Sequence, residues 1–323
     1  MSKLTFNIPG FFAAIHQQGG GSDFPVLTKM LAKAAAEAGT KDELNMLCEQ
    51  FKLGNDFQPP VAAIMQYSAT EKSHEHNQWI CCASPVMIVP NRDHLDLVQS
   101  TGFDISEDEA SRFCDEFNDY FKEDGLSFSY TAPDKWFCHA KTPFNVPSTA
   151  PFAFTGGDIA PYVPRDAEST QWRRLFNETQ MLLHHSATNR SRSALGKPEI
   201  NSLWFWGGGC LNPSFDAVGL SVYSDDDFTL GLARLTQSHV FPLSADFQAN
   251  DFRNDILVSV DAFCKDYDGW DERYFLPALQ LLKSGKVDQI NFFLGSEKSY
   301  VLRKPDLLRF WKKHNVFQET ISD

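Results

Sequence analysis

The stretch GKPEINSLWFWGGG, residues 196–209, is the part of the chain on which our prediction of the fold depends. Its apolar run from Ile200 to Trp206 predicts a buried strand, which three consecutive glycines end. In open α/β sheets, ligands bind beyond the carboxyl ends of the strands. Glycines at such an end let the backbone approach a ligand closely, and their N–H groups can hold an anion. One interpretation of the stretch is therefore a sheet strand with an anion-binding end.

The residues just before this strand leave two interpretations open. HHSATNR, residues 184–190, predicts the end of a helix, and Arg190, Arg192 and Lys197 could complete an anion site through charge-assisted hydrogen bonds. Alternatively, the glycines form a tight turn packed under the tryptophans, and the two histidines only end a helix, where cations are favoured. The stretch matches neither a P-loop nor a Rossmann glycine motif.

Outward from this stretch, the second half of the chain alternates between helix and strand patterns. Helices are predicted over 166–191, 226–236, 271–284 and 305–312, and strands over 200–206, 217–223, 255–260, 287–294 and 300–303. Such alternation is typical of a mostly parallel sheet flanked by helices. We therefore predict an α/β fold.

The first half has a different character. Its pattern predicts a strand over 4–8, helices over 25–38 and 41–51, a helix or strand over 58–68, a strand over 79–89 and a hairpin of strands over 126–130 and 135–140. Ser106 and Glu109 have capping-box spacing, and the helix behind them places Ala110, Phe113, Phe117, Tyr120 and Phe121 on one face. The Pro- and Gly-rich residues 143–164 predict a linker or a covering loop. We expect a main α/β domain from residues 1–77 and 165–323, and an inserted α+β subdomain with its linker over 78–164.

The charge balance bears on partners and location. The chain has 323 residues, 29 basic and 42 acidic side chains, and a formal net charge of −13. This charge repels a nucleic-acid backbone and an anionic membrane surface, so we expect neither as a partner. An odd number of cysteines, seven, without a CxxC pair predicts free, mostly buried thiols. No signal peptide and no apolar run near 20 residues is apparent, so we expect a cytoplasmic location.

Three smaller patterns carry chemistry only in combination with other groups. The pair His74 and His76 would need further ligands to hold a metal, and a polar loop explains it equally well. The three carboxylates Asp225–Asp227 could bind a hard cation or simply begin a helix. Cys138-His139 lies in a predicted strand, where such pairs are more often part of the core. The G-x-S-x-G and H-E-x-x-H motifs do not occur.

Several of these segments together resemble a known family. Residues 178–209, the run SPVMIVPNRD at 84–93, YVLR at 300–303 and RFW at 309–311 are similar to bacterial RpfE-type regulatory proteins, which are often identified as cofactor-independent phosphoglycerate mutases. The wider resemblance is to archaeal-type phosphoglycerate mutases of the alkaline-phosphatase superfamily. It implies that fold, and it aligns Asn189, Arg190, Asn201 and the glycines with a family motif. The ligand-binding residues predicted on this basis are Glu178, His184, Asn189, Arg190, Asn201, Trp204, Trp206, Gly207, Gly208 and Gly209.

The chain departs from the family where two divalent ions would bind. The resemblance implies an Asp-Gly-x-Gly-Asp motif after the first strand, but Pro9, Gly10 and Phe11 stand there, and the late strand region 257–268 contains no histidine. Such ions activate the nucleophile and neutralise the phosphoryl group. We therefore expect no resident cofactor and a non-catalytic protein with a regulatory, ligand-sensing or interaction role, whose partner is a small anionic metabolite or a protein.

Two alternatives remain. One is an active mutase, phosphotransferase or phosphohydrolase with Mn or Mg held by Asp225–Asp227, Asp261, Asp266 and Asp268. The other is a different, metal-free activity or a purely structural role.

Overall fold

A computed structural model of the chain describes residues 2–12, 15, 24–38, 43–54, 58–70, 78–92, 94–99, 103–151, 158–211, 215–245, 254–260, 267–295 and 298–309. The chain divides into two compact units, which we describe separately. The first comprises Met1–Phe57 and Phe215–Asp323, and the second comprises Gln58–Ser214.

Both units contain strands and helices. In chain order the strands are β1 (Lys3–Asn7), β2 (Ala35–Ala38), β3 (Trp79–Pro90), β4 (Leu95–Gln99), β5 (Leu126–Ala132), β6 (Lys135–Ala140), β7 (Ser202–Cys210), β8 (Leu220–Ser224), β9 (His239–Phe241), β10 (Asp255–Ser259), β11 (Gln289–Phe293) and β12 (Lys298–Arg303). The α-helices are α1 (Pro25–Lys33), α2 (Glu43–Gln50), α3 (Val61–Thr70), α4 (Glu107–Phe121), α5 (Thr170–His185), α6 (Ala187–Ala194), α7 (Asp227–Leu235) and α8 (Leu276–Ser284). Within the described residues, no helix is both long and apolar enough to cross a membrane.

The first unit is built on a mostly parallel sheet. Its described strands have the order β2-β12-β11-β1-β10-β8-β9. The neighbours from β11 through β9 are parallel, whereas β12 and β2 add an antiparallel edge. Helix α7 packs on β8 and β9, and α8 packs on β11. The predicted α/β fold class is thus confirmed.

The central strands of this sheet are buried on both faces. Leu4 and Phe6 are fully buried in β1, and every residue of β8 is buried. The Phe6 ring stacks on that of Phe292 in β11, with centroids 5.5 Å apart. Strands covered on both faces are expected to be continuous apolar runs, but buried polar side chains interrupt them here, Thr5 in β1 and Ser221 in β8.

The predicted helix over 25–38 is wrong in its last turn. Helix α1 ends at Lys33, and Ala35–Ala38 form β2, which pairs antiparallel with β12. Alanine favours helices, but hydrogen bonds offered by the free edge of β12 outweigh that preference over four residues.

The second unit contains an antiparallel sheet built around the long strand β3. Strand β7 pairs along one side of β3, and β6 and β4 share the other side, with β5 beyond β6. Helix α3 packs on β3 and β7, α4 on β5, and α5 on β7. The segment over 58–68, for which helix or strand was open, forms helix α3.

The structure divides the chain at different points from those we predicted. The inserted unit is Gln58–Ser214 and not 78–164, because β7 pairs with β3 from Ser202 to Cys210. Residues 165–214 therefore belong to the antiparallel unit. Their alternating pattern is correct, but a strand pattern does not identify the sheet in which the strand pairs.

The helix boundaries of the second unit follow local capping. The capping box of α4 is confirmed: Glu109 N donates to Ser106 Oγ and Ser106 N donates to a Glu109 carboxylate oxygen. Of its predicted apolar face, only Tyr120 is not buried, with half of its surface exposed. The single helix predicted over 166–191 is wrong, because it is broken at Ser186. The Ser186 hydroxyl accepts hydrogen bonds from the first N–H groups of α6.

The predicted helix over 305–312 is a short 3₁₀ turn, Lys304–Leu308, where it is described. Residues 310–312 lie outside the described part of the chain.

Candidate functional site

The predicted ligand segment does not end a strand of the parallel sheet. Strand β7 carries Trp204, Trp206 and the three glycines, and it pairs antiparallel with β3. The rule that ligands bind at the carboxyl ends of parallel strands therefore does not apply to it. The argument that placed an anion site at Gly207–Gly209 was wrong for this reason.

The two asparagines of the predicted site bind backbone. Asn189 Nδ2 donates to the carbonyl oxygens of Leu183 and Ile200, at 2.8 and 2.6 Å, and Asn189 Oδ1 accepts from Ile200 N. Asn201 Oδ1 accepts from Ile88 N at 2.7 Å, and Asn201 Nδ2 donates to Ile88 O at 2.8 Å. Each amide thus satisfies backbone groups where a helix or a strand begins or ends.

The tryptophans of β7 are buried with their ring N–H groups bonded inside the unit. Trp204 Nε1 donates to Thr149 O at 3.1 Å, and Trp206 Nε1 donates to Ser84 Oγ at 2.9 Å. The Trp204 ring lies edge-on to Trp172 of α5. Buried indoles normally find such partners, and both rings act here as core.

The three glycines allow close packing. A Cβ atom at Gly208 would lie 2.5 Å from the Trp79 ring, and one at Gly209 would lie 2.7 Å from Pro60. Gly207 has a φ of +64° and donates its N–H to Pro147 O at 2.9 Å. These contacts agree with the alternative interpretation, a packed turn. Val146 and Pro147, from the Pro- and Gly-rich stretch that was expected to be a linker or a covering loop, contact β7 here.

The cations near this segment are held by carboxylates. Arg192 is fully buried, and its NH1 lies 3.0 Å from a Glu109 oxygen, while Nε donates to Pro198 O. Lys197 Nζ lies 3.0 Å from Asp104 and 3.7 Å from Glu109. Burial opposes ionisation of Glu109, but the hydrogen bond from Ser106 N and the charges of Arg192 and Lys197 outweigh it, so the pKa of Glu109 is lowered.

The remaining predicted residues lie on α5 and α6. Glu178 Oε1 accepts from Arg174 Nε at 2.8 Å, within the helix. His184 and His185 are exposed with ring centroids 5.0 Å apart, and the exposed Arg190 donates to His185 O at 2.7 Å. We call His184, His185 and Arg190 the cationic corner. Its members His184 and Arg190 belong to the predicted set, and the side chains of all three residues face solvent.

The carboxyl edge of the parallel sheet carries a different polar group. β1, β10 and β8 end at Asn7, Ser259 and Ser224, which are paired across the sheet and buried. Asn7 Nδ2 donates to Ser259 Oγ at 3.0 Å, and the Thr229 and Ser259 hydroxyls lie 3.0 Å apart. We call Asn7, Ser224, Thr229 and Ser259 the edge network. Sequence reasoning missed it, although the signal was available: a polar residue ends each of these apolar strands.

The acidic triplet lies beside the edge network. Asp226 is the N-cap of α7: its carboxylate accepts from Thr229 N at 2.7 Å, and its own N–H donates to Ser224 Oγ at 3.0 Å. Asp225 is exposed. The triplet therefore begins a helix, which was one of its two interpretations.

Among the described residues, the side chains that end the parallel strands, Asn7, Ser224 and Ser259, do not fit the two divalent ions that the family resemblance implies. Amide and hydroxyl groups bonded to one another stand at the strand ends, and hard cations need several carboxylate ligands. Within the described residues, no group of three or more His, Cys, Asp or Glu side chains is arranged to hold a metal. We derive no metal-dependent step. Asp261, Asp266, His74 and His76 lie outside the described residues.

Comparisons with known proteins give distant likenesses in fold. No protein-family model matches the chain, and no curated protein matches it. A cofactor-independent phosphoglycerate mutase from Thermoplasma acidophilum DSM 1728 is similar with 12% identity and a TM-score of 0.41, over 93% of this chain and 89% of that chain. The PH0037 protein from Pyrococcus horikoshii is similar with 12% identity and a TM-score of 0.45, over 94% and 87%. At these values the fold class rests on the sheet topology described above.

Proposed function

We propose that this chain is a phosphoglycerate-mutase-like protein that does not catalyse phosphoryl transfer and instead has a regulatory, ligand-sensing role. The observation that carries the proposal is the edge network. In an open α/β sheet the carboxyl ends of the parallel strands supply the reacting groups, and here they present amide and hydroxyl groups that hydrogen-bond to one another. Such groups lack the charge that phosphoryl transfer requires of its catalyst.

The resemblance to RpfE-type proteins supports the regulatory role. The shared sequence motifs indicate the family. The absence of that family's metal-ligand motif after the first strand argues against metal-dependent catalysis. The buried free thiols in the described part of the chain support a cytoplasmic location.

The ligand that we propose is a small anionic, phosphorylated metabolite bound at the cationic corner. Arg190 is always charged and can bond a phosphate through two N–H groups. Its exposed guanidinium donates to the backbone carbonyl oxygen of His185, whose exposed ring lies 5.0 Å from that of His184. The acidic triplet makes the edge network the less favourable place for an anion, because three carboxylates repel it.

Metal analysis and a mutase assay test the non-catalytic proposal. We expect substoichiometric Mn and Mg in the purified chain and no interconversion of 3- and 2-phosphoglycerate with added Mn²⁺. Stoichiometric metal together with turnover would instead support the active-mutase alternative and end the proposal.

Thermal melts with phosphorylated metabolites, 3-phosphoglycerate first, test the ligand. A ligand at about 100 times its Kd stabilises the folded state by about 2.7 kcal/mol, so Tm should rise. Arg190→Ala should abolish the rise. Arg112→Ala is the matched control, because Arg112 is an exposed cation paired with Asp108 on α4. If no compound shifts Tm, a protein partner replaces the metabolite.

A further inference from the structure

A serine and a histidine meet on the second unit's sheet. Ser129 of β5 and His139 of β6 lie on the same sheet face, because Ser127 is the cross-strand partner of His139. Ser129 Oγ is 2.8 Å from His139 Nε2. Gln66 of α3 reaches both, with Nε2 3.2 Å from Ser129 Oγ and 3.3 Å from His139 Nε2. The sequence had drawn attention to Cys138-His139, but Cys138 faces away from this group.

The Gln66 amide donates to the Ser129 hydroxyl oxygen, so the hydroxyl hydrogen can be directed elsewhere. In the tautomer whose Nε2 is unprotonated, His139 accepts that hydrogen at 2.8 Å. This is the arrangement in which an imidazole acts as general base toward a hydroxyl nucleophile.

The hydroxyl lies where a substrate can reach it. β5 is the outer strand beyond β6 in the described sheet, and Ser129 is partly exposed, whereas His139 is buried. In a purely structural polar contact, both groups would be buried. Here the hydroxyl is partly exposed and only the imidazole is buried.

We propose that Ser129 is a nucleophile and His139 its general base, acting on small carboxylic esters. Ser129 Oγ bonds to the acyl carbon while its proton passes to His139 Nε2. The ester C–O bond then breaks, and the departing alcohol takes that proton. Water repeats the sequence and releases the acid. This activity is independent of the proposed ligand-sensing role.

A fluorophosphonate probe on the full-length chain tests the pair. Attack by Ser129 Oγ forms an O–P bond, fluoride leaves, and the proton passes to His139. We expect one label, located on Ser129 by peptide mass mapping. Ser129→Ala should abolish labelling, whereas Ser127→Ala should retain it, because Ser127 is an exposed serine two residues away on the same face. An unlabelled chain, or undiminished labelling of the S129A variant, would overturn the proposal.

A His139 variant and a pH profile test His139 as the general base. General-base catalysis contributes about 10²–10⁴-fold, so His139→Gln should slow labelling by roughly 100-fold or more. If that variant does not fold, the pH profile of the unaltered chain decides. A base must be unprotonated, so the labelling rate should rise across about pH 5 to 8, and a flat profile contradicts the proposal.

Discussion

At the scale of single residues, the side chains predicted to hold a ligand mostly satisfy the protein's own backbone. The family resemblance aligns Asn189 and Asn201 with a ligand motif, but their amides bond Ile200 and Ile88. Polar groups are rarely buried without partners, so a conspicuous polar residue beside an apolar strand often has a structural partner. Only the pairing of the strands shows which role applies.

Gly208→Ala should destabilise the protein by about 1–3 kcal/mol. The added methyl group would overlap the Trp79 ring and the Val146 side chain, 2.5 and 2.7 Å away, and overpacking in a filled core has this cost. Urea denaturation measures it. Gly54→Ala is the control, since no atom lies within 4 Å of a Cβ there, and it should change stability little. Equal stability of the Gly208 variant would mean that the turn is loosely packed.

At the scale of secondary-structure elements, some helices are capped by neighbouring residues and others by residues that are distant in the chain. The capping box of α4 lies within four residues and is visible in the sequence. Helix α1 has Phe24 at its N-cap, and its first N–H groups donate instead to Asp271, at 2.7 and 2.9 Å. A cap supplied from 245 residues away leaves no local signal.

The ion pair between Glu109 of α4 and Arg192 of α6 should make the free energy of unfolding depend on pH. The pKa of Glu109 is lowered in the folded state, so its ionisation stabilises the fold above its ordinary value of 4.5, and this contribution is lost as pH falls through the folded-state pKa. Glu109→Gln leaves the buried Arg192 without its carboxylate and should cost roughly 3 kcal/mol near pH 7.

Urea denaturation at pH 7 and at pH 3 measures this dependence. The difference between the unaltered chain and E109Q should shrink as pH falls toward the lowered pKa of Glu109, because protonation removes the charge that distinguishes the two side chains. Asp108→Asn is the control: its pair with Arg112 is exposed, so it should have little effect at either pH. A difference that is the same at both pH values would contradict the role of the charge.

At the scale of the whole molecule, the second unit should fold alone. Its sheet is formed by β3–β7, and α3–α6 lie within the same segment, Gln58–Ser214. A fragment of these residues should show near-UV circular dichroism and a cooperative thermal transition. The fragment 78–164 should show neither, because it lacks β7 and the helices α3 and α5 that pack on the sheet. A folded 78–164 fragment would restore the boundaries predicted from sequence.

The sequence by itself determined what depends on neighbouring residues: the alternation of helices and strands, the α/β class, the capping box and the burial of most of the apolar face of α4. Only the tertiary structure decided that β7 joins β3, that Ala35–Ala38 extend the edge of β12, and that Ser129 faces His139. Periodicity reports which side of a segment avoids water, and it carries no information about the strand that will supply its hydrogen bonds. The expectation that the glycines end a strand of the parallel sheet was wrong for that reason, since the strand partner lies more than 100 residues away in the chain.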